Sequence, residues 1–267
     1  IPNPPIPSSI LCRRPPVEPH EYQTMFQLEG DYWWYRGLHR ILLDVLKSVG
    51  ITSNDLVLDA GCGTGQNLVN LRENATNAIF GFDYAIEGAQ FCGQRGLETV
   101  CVASINDIPY RSNSFHAVMS IDVLECDAVE EEAAVNELVR VLRPGGHLIL
   151  VVPAYDWLLS EEHHRAVKAS RRYSRRRLLS LLSHEEGLEL LRVTHVFASL
   201  LPMVAAYRMS LKYFHKNKEE SPQSELKPLP RFANELLFRI VDVERRVLTR
   251  FDLPFGSTIL AVWKKAA

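Results

Sequence analysis

Five short apolar runs recur along the middle of the chain with polar, helix-patterned segments between them: LVLDA (56–60), AIFGFD (78–83), TVCVAS (99–104), AVMSID (117–122) and HLILVVP (147–153). Runs of this length, rich in β-branched residues and bounded by turn formers, read as strands. Connectors of about a dozen residues or more are long enough for the helical crossovers that join parallel neighbours. The alternation predicts an α/β fold, a Rossmann-like doubly wound and mostly parallel seven-stranded sheet, with LELLRVTHVFA (188–198) and STILAVWKK (257–265) as its last two strands. Val129–Leu142 reads as one of the flanking helices, closed by Pro144-Gly145-Gly146.

The remaining segments frame this core. Residues 1–20 hold seven prolines and read as an extended arm. From about Glu21 to Val49 the pattern is helical, with Leu38, Ile41, Leu42, Val45 and Leu46 on one face and Gly50 as the stop, so residues 21–50 are expected as a helical cap. Residues 51–200 form the core, 201–255 a helical insertion and 256–267 the last strand. Within the insertion LPMVAAYRMSLKYF (201–214) reads as a helix and 215–230 as a polar loop. Phe232, Leu236, Ile240, Val243, Val247 and Phe251 then recur at helical spacing, the pattern of an amphipathic helix.

Bulk properties narrow the classes. A formal net charge of −2 gives no global field toward nucleic acid or an anionic membrane. Five cysteines with no C-x-x-C pair suggest neither a disulfide framework nor a zinc site, so no metal is expected and a reducing cytoplasm is the expected location. No apolar run reaches the roughly 18 residues of a membrane span, and no signal peptide is read.

The chemistry begins at Gly61-Cys62-Gly63-Thr64-Gly65, which follows the strand ending in Asp59 and opens a helix near Gln66. Glycines let a backbone turn tightly and approach a ligand, while a helix N-terminus offers unpaired N–H groups. Asp83 ends the second strand 24 residues after Asp59, a spacing that suits a carboxylate accepting from both hydroxyls of a ribose. An adenosine-bearing cofactor fits both features. The order G-x-G-x-G departs from the G-x-G-x-x-G of dinucleotide sites, though an oxidoreductase using a dinucleotide stays open as an alternative, as does a catalytically silent scaffold.

VLDAGCGTGQNL (57–68), the acid in GFDYA, DIPYRSNSFHAVMSIDVLE (107–125) and RVLRPGGHLILVVPA (140–154) occur in the order typical of class I S-adenosylmethionine-dependent methyltransferases, and the chain resembles their type 11 group over about residues 21–200. Similar enzymes carry an aromatic segment like YWWYRG near the start and one like PAYDWLLS…RRYS after the fifth strand. The resemblance implies S-adenosyl-L-methionine as cofactor. It implies Asp59, Gly61, Cys62, Gly63, Thr64 and Gly65 around the methionine moiety, Asp83 at the ribose and Tyr84 beside the adenine. Ser104, Ile105 and Asn106 stand where the group usually presents an acid to the adenine amine, and Ile121 and Asp122 would floor the pocket. Where the group often reads E-H, this chain reads Glu125-Cys126, and His164 and Ala169 replace an expected Asp and His.

In-line methyl transfer asks mainly for alignment, plus a base when the acceptor loses a proton. His163, His164 and Glu125 are the candidates for that base, with exposed helix positions as the competing reading for the histidines. Trp34, Tyr35, Tyr155 and Tyr173 are candidates for orienting the acceptor, and Arg36 for the cofactor carboxylate or for solvent. The run from Glu161 to Arg177 is basic and suits either an anionic acceptor group or a solvated helix face. With no domain-wide positive charge and no N-P-P-Y-type signature, a small-molecule or lipid-linked acceptor is expected and nucleic acid is not. Stable membrane insertion is not expected; the helix at 201–214, which bears Arg208 and Lys212, reads first as core packing, with peripheral membrane contact as the alternative. The chain is expected as a monomer or homodimer.

Overall fold

The computed structural model describes residues 19–159, 164, 168–214 and 227–267. The arm up to residue 18, His163 and positions 215–226 of the polar loop lie outside the described residues.

Among the described residues seven strands form one sheet in the order β3-β2-β1-β4-β5-β7-β6. The strands are β1 (Val57–Ala60), β2 (Ile79–Asp83), β3 (Val100–Val102), β4 (Phe115–Ile121), β5 (Leu142–Pro153), β6 (Leu188–Val196) and β7 (Thr258–Lys265). The first five pair in parallel, and β7 enters antiparallel between β5 and β6. All four residues of β1 are buried, as expected of a strand covered on both faces. Because the chain order reverses between β1 and β4, their C-terminal ends open a crevice, the place where such sheets bind ligands.

Helices α1 (Pro19–Leu28), α2 (Trp33–Ser48), α3 (Gln66–Asn74), α4 (Ile86–Gln94) and α5 (Glu131–Val141) are followed by α6 (Arg175–Leu182), α7 (Leu201–Phe214) and α8 (Arg231–Leu248). Two apolar cores lie on the sheet: one gathers Leu138, Leu178 and Leu182 from α5 and α6, the other Leu38, Leu42 and Leu46 from α2 with Leu68 and Leu71 from α3. This is the doubly wound, Rossmann-like architecture. None of the described helices is long and apolar enough to cross a membrane.

Two local patterns differ from the sequence reading. The single helical stretch from Glu21 to Val49 is two helices, broken at Glu29–Tyr32, and the new start is held by the Asn234 side chain, which accepts from the Trp33 N–H at 2.8 Å. Pro144-Gly145-Gly146 does not end as a free turn but lies within β5. There Gly145 takes φ 74 and the register against β4 shifts between Phe115 and Ala117, so a bulge absorbs the extra residues.

Helix α8 leaves most of the apolar stripe read from the sequence on its outside, with Ile240 alone of that stripe packed against the core. Its buried residues include Asn234, Asp242 and Glu244 beside Phe238, Val241 and Leu248, whereas Phe232, Leu236, Val243 and Val247 are exposed. The buried polar groups have partners: Arg40 reaches Asp242 at 3.0 Å, and Glu244 accepts from the Ala198 and Ser199 N–H groups at 3.1 and 2.7 Å. Arg36 pairs with Glu235 at 3.1 Å and stacks over Phe238, so it ties α2 to α8 instead of entering solvent or the crevice.

Candidate active site

A cavity of about 470 Å³ opens at the C-terminal ends of β1, β2 and β4, beneath α1 and α2. One end is made by backbone. Gly61 follows β1 at φ 86, and a Cβ there would meet a methyl of Val123 at 2.4 Å, so only glycine lets the chain turn between the two strand ends. The Gly63 N–H donates to Asp83 Oδ2 at 2.9 Å and the Ala85 N–H to Asp83 Oδ1 at 3.0 Å, fixing the carboxylate in the crevice.

Asp59, at the end of β1, is buried. Its Oδ2 accepts from Asn67 at 2.9 Å, while its Oδ1 has no hydrogen-bond partner. Desolvation raises its pKa to about 7. An orphaned buried oxygen is costly unless a donor arrives, so this atom marks where an ammonium or other cationic donor fits. Asp59, Gly61, Cys62, Gly63, Asp83, Tyr84, Ser104, Ile105, Ile121 and Asp122 all line the cavity. That donor set suits an amino acid joined to an adenosine, with the orphan oxygen for the amine and the β2 carboxylate for the ribose.

Three residues expected beside them do other work. Thr64 is buried and its hydroxyl donates to Glu29. Gly65 starts α3 at φ 87, where a Cβ would strike Leu97 at 2.6 Å and Cys92 at 2.7 Å; it serves the packing of α3 on α4. The Asn106 side chain donates to the Ala128 carbonyl and accepts from the Glu130 N–H, bracing a loop.

The other end is made by side chains. Asp122 closes β4 in the left-handed region at φ 50, a strained setting for a non-glycine residue. Glu125 and Arg172 are buried beside it in the same cavity, and the segment bearing Arg172 is pinned by Arg171, which donates to the Leu124 and Val129 carbonyls at 2.8 Å each. Desolvation raises the Asp122 carboxyl to about 7, with Arg172 opposing. Desolvation and then the neighbouring Asp122 push Glu125 well above its ordinary range, and its Oε2 has no hydrogen-bond partner. Burial thus favours the protonated form of both carboxyls.

Trp34 and Tyr35 line the same cavity, Trp34 stacked on Phe197 with centroids 5.7 Å apart. Burial pushes the Tyr35 phenol up, and acidic neighbours led by Glu29 add to it. Tyr155 and Tyr173 are not among the lining residues. Tyr173 is buried, its hydroxyl donating to Glu131 at 2.7 Å, and Tyr155 stacks on His195. His164 is half-buried away from the lining, and His163 lies outside the described residues.

Tyr22 and Arg172 are among the cavity residues that escaped the sequence reading. Tyr22 of α1 is buried and donates to Asp83 Oδ1 at 2.8 Å, with no local signal for a contact across 61 positions. Its helix is latched by Arg95, which donates to Glu29 at 2.7 Å and to the Thr64 carbonyl at 2.9 Å. Arg172 stood within the basic run 161–177, but nothing in that run separates it from Arg177, which faces outward and pairs with Glu131 at 3.0 Å.

Residues 58–150 match a family described as "Methyltransferase domain". Among curated relatives, the probable tRNA methyltransferase 9B of Mus musculus is 33% identical over 115 residues, 42% of this chain and 24% of that protein. The chain therefore spans about a quarter of the length of such relatives. The methyltransferase solved in complex with the Haloferax volcanii Trm112 methyltransferase activator gives a TM-score of 0.59 at 18% identity, over 93% of this chain and 95% of that one. Geranyl diphosphate C-methyltransferase of Streptomyces coelicolor, solved with S-adenosyl-L-homocysteine, gives 0.54 at 16%, over 84% and 80%. At such identities the structural likeness shows the fold. The expectation that nucleic acid is no partner is overturned, since the mouse relative and others are named tRNA methyltransferases. Net charge averages over the whole surface and does not describe a local binding face.

Proposed function

We propose, from the premise that residues 58–150 are a class I methyltransferase domain with S-adenosylmethionine as its methyl donor, that this chain methylates an acceptor with an apolar or aromatic body and an ionisable O–H or N–H. The observation that carries the reading is one continuous cavity. It joins the glycine turn and Asp83 to the buried Asp122, Glu125 and Arg172 beneath Trp34 and Tyr35.

The donor supplies an electrophilic methyl on a sulfonium centre. Asp59 Oδ1 would accept from its amine, Gly61 and Gly63 would border the methionine moiety, Asp83 would hold the ribose and Tyr84 would lie beside the adenine. The walls of the cavity would align the acceptor in line with the methyl, where proximity is the main source of rate. The Asp122–Glu125 pair would take the acceptor's proton as the new bond forms, with Arg172 stabilising the charged state. Trp34 and Tyr35 would cover the acceptor and exclude water.

A second reading, tRNA as acceptor, is favoured by the names of the curated relatives. Methyl-labelled donor incubated with a lipid extract, a panel of small phenols and amines, and total tRNA separates the two. Label in the first two pools supports the proposal; label confined to tRNA replaces it with the second reading.

A further inference from the structure

We infer that the outward face of α8 is a docking surface for an anionic lipid bilayer, with the helix lying in the plane of the headgroups. Phe232, Val243 and Phe251 are 80%, 60% and 66% exposed, and Leu236 and Val247 between them are exposed as well. From Phe232 to Val247 this stripe runs about 22 Å at 1.5 Å per residue. A soluble helix ordinarily turns its apolar residues inward; here the inward side takes Phe238, Val241 and Leu248 together with Asn234, Asp242 and Glu244, and a second apolar row is left on the outside. Water therefore meets the face that favours leaving it.

Charge selects the occupant. Residues 227–251 hold six basic residues, Lys227, Arg231, Arg239, Arg245, Arg246 and Arg250, against three acidic ones, Glu235, Asp242 and Glu244. Asp242 and Glu244 are buried on the protein side, while Lys227, Arg231, Arg239, Arg246 and Arg250 are exposed. Arg239 pairs with the half-exposed Glu235 at 3.2 Å and Arg246 reaches Asp242 at 3.0 Å; a basic excess beside an apolar row remains, the pattern of an interfacial helix, whose arginines carry their charge up to the phosphates along apolar stems. Pairing of two copies through the same patch would gather both sets of arginines around one seam, a repulsive arrangement. Phe232 lies two residues from Asn234, which holds the first turn of α2 where Tyr32 and Trp33 line the cavity. This surface stands apart from the identity of the acceptor, because binding is read without turnover.

The test is co-flotation of the full chain with vesicles of phosphatidylcholine carrying a minority of phosphatidylglycerol, against vesicles of phosphatidylcholine alone. The wild type is expected to float with the anionic vesicles, less so as salt rises. Phe232→Ser combined with Phe251→Ser is expected to weaken that binding about tenfold or more at an unchanged melting temperature. Arg239→Glu combined with Arg250→Glu is expected to abolish the preference for anionic over neutral vesicles. Absence of wild-type flotation, or flotation that both double variants leave intact, overturns the inference. So does a concentration-dependent dimer that the double serine variant dissolves without any vesicle binding.

Discussion

The two ends of the cavity are built by different means. At the cofactor end, strand termini and a glycine turn set the geometry: Gly61, Gly63 and Ala85 contribute backbone, Asp59 is the penultimate residue of β1 and Asp83 the last of β2. At the acceptor end the surfaces are side chains brought from distant elements, Trp34 and Tyr35 from α2, Glu125 from the loop after β4, Arg172 from the segment before α6 and Tyr207 from α7. A backbone turn is fixed by a few neighbouring residues, whereas a side-chain wall depends on every element that supports it. The first end tolerates little change and the second is where specificity can diverge.

Substitutions at the two ends should therefore fail differently. The largest effect is expected for Gly63→Val, which fills the cofactor end. The nearest atom to a Cβ there is the flexible Met25 sulfur at 3.0 Å, but a β-branched residue at φ 56 is also strained. Donor binding measured by calorimetry should be lost while thermal unfolding stays cooperative. At the acceptor end, Glu125→Gln should leave donor affinity unchanged and lower kcat by about 100-fold, the scale of a lost general base.

The same pair sets a pH dependence. Burial holds Asp122 near 7, above its ordinary 3.8, so the pair is protonated at low pH and gains proton-accepting capacity as pH rises through about 7. The rate should rise with pH over that range. Asp122 raises Glu125 and ionises first, so Glu125 is neutral through that range and Glu125→Gln should leave the midpoint of the residual profile in place. A rate that does not change with pH over that range would take the pair out of the proton transfer.

A smaller change is expected at Asp83→Ala, about 1 to 3 kcal/mol of donor affinity through lost charge-assisted hydrogen bonds. The smallest belongs to Tyr22→Phe. Its hydroxyl donates to the Asp83 oxygen that a ribose would use, so removing it should tighten donor binding by about 0.5 to 1.5 kcal/mol, read in the same titration. Weaker binding would show that Tyr22 supports the donor and does not compete with it.

The same contrast governs what could be read in the sequence. The strands, their parallel order and the glycine turn are local patterns, and Asp59 and Asp83 follow from their places at strand ends. Tyr173 and Tyr155 looked like site residues because aromatics beside a basic run have no local mark of direction; a hydrogen bond to Glu131, 42 positions away, turns Tyr173 into the core. Tyr22 and Arg172 were silent for the same reason. In α8 the periodicity was legible but its sense was not. Spacing identifies the stripe, but the direction of the helix is set by contacts about 200 positions away, among them Arg36 stacked over Phe238 and Arg40 on Asp242.

Calorimetric titration of the purified chain with S-adenosylmethionine and with NAD, repeated on Asp83→Ala, is the most direct test of the cofactor site on which the proposed transfer rests. Saturable binding of S-adenosylmethionine that Asp83→Ala weakens, with none for NAD, is the predicted result. Tight NAD binding in the absence of S-adenosylmethionine binding would contradict it.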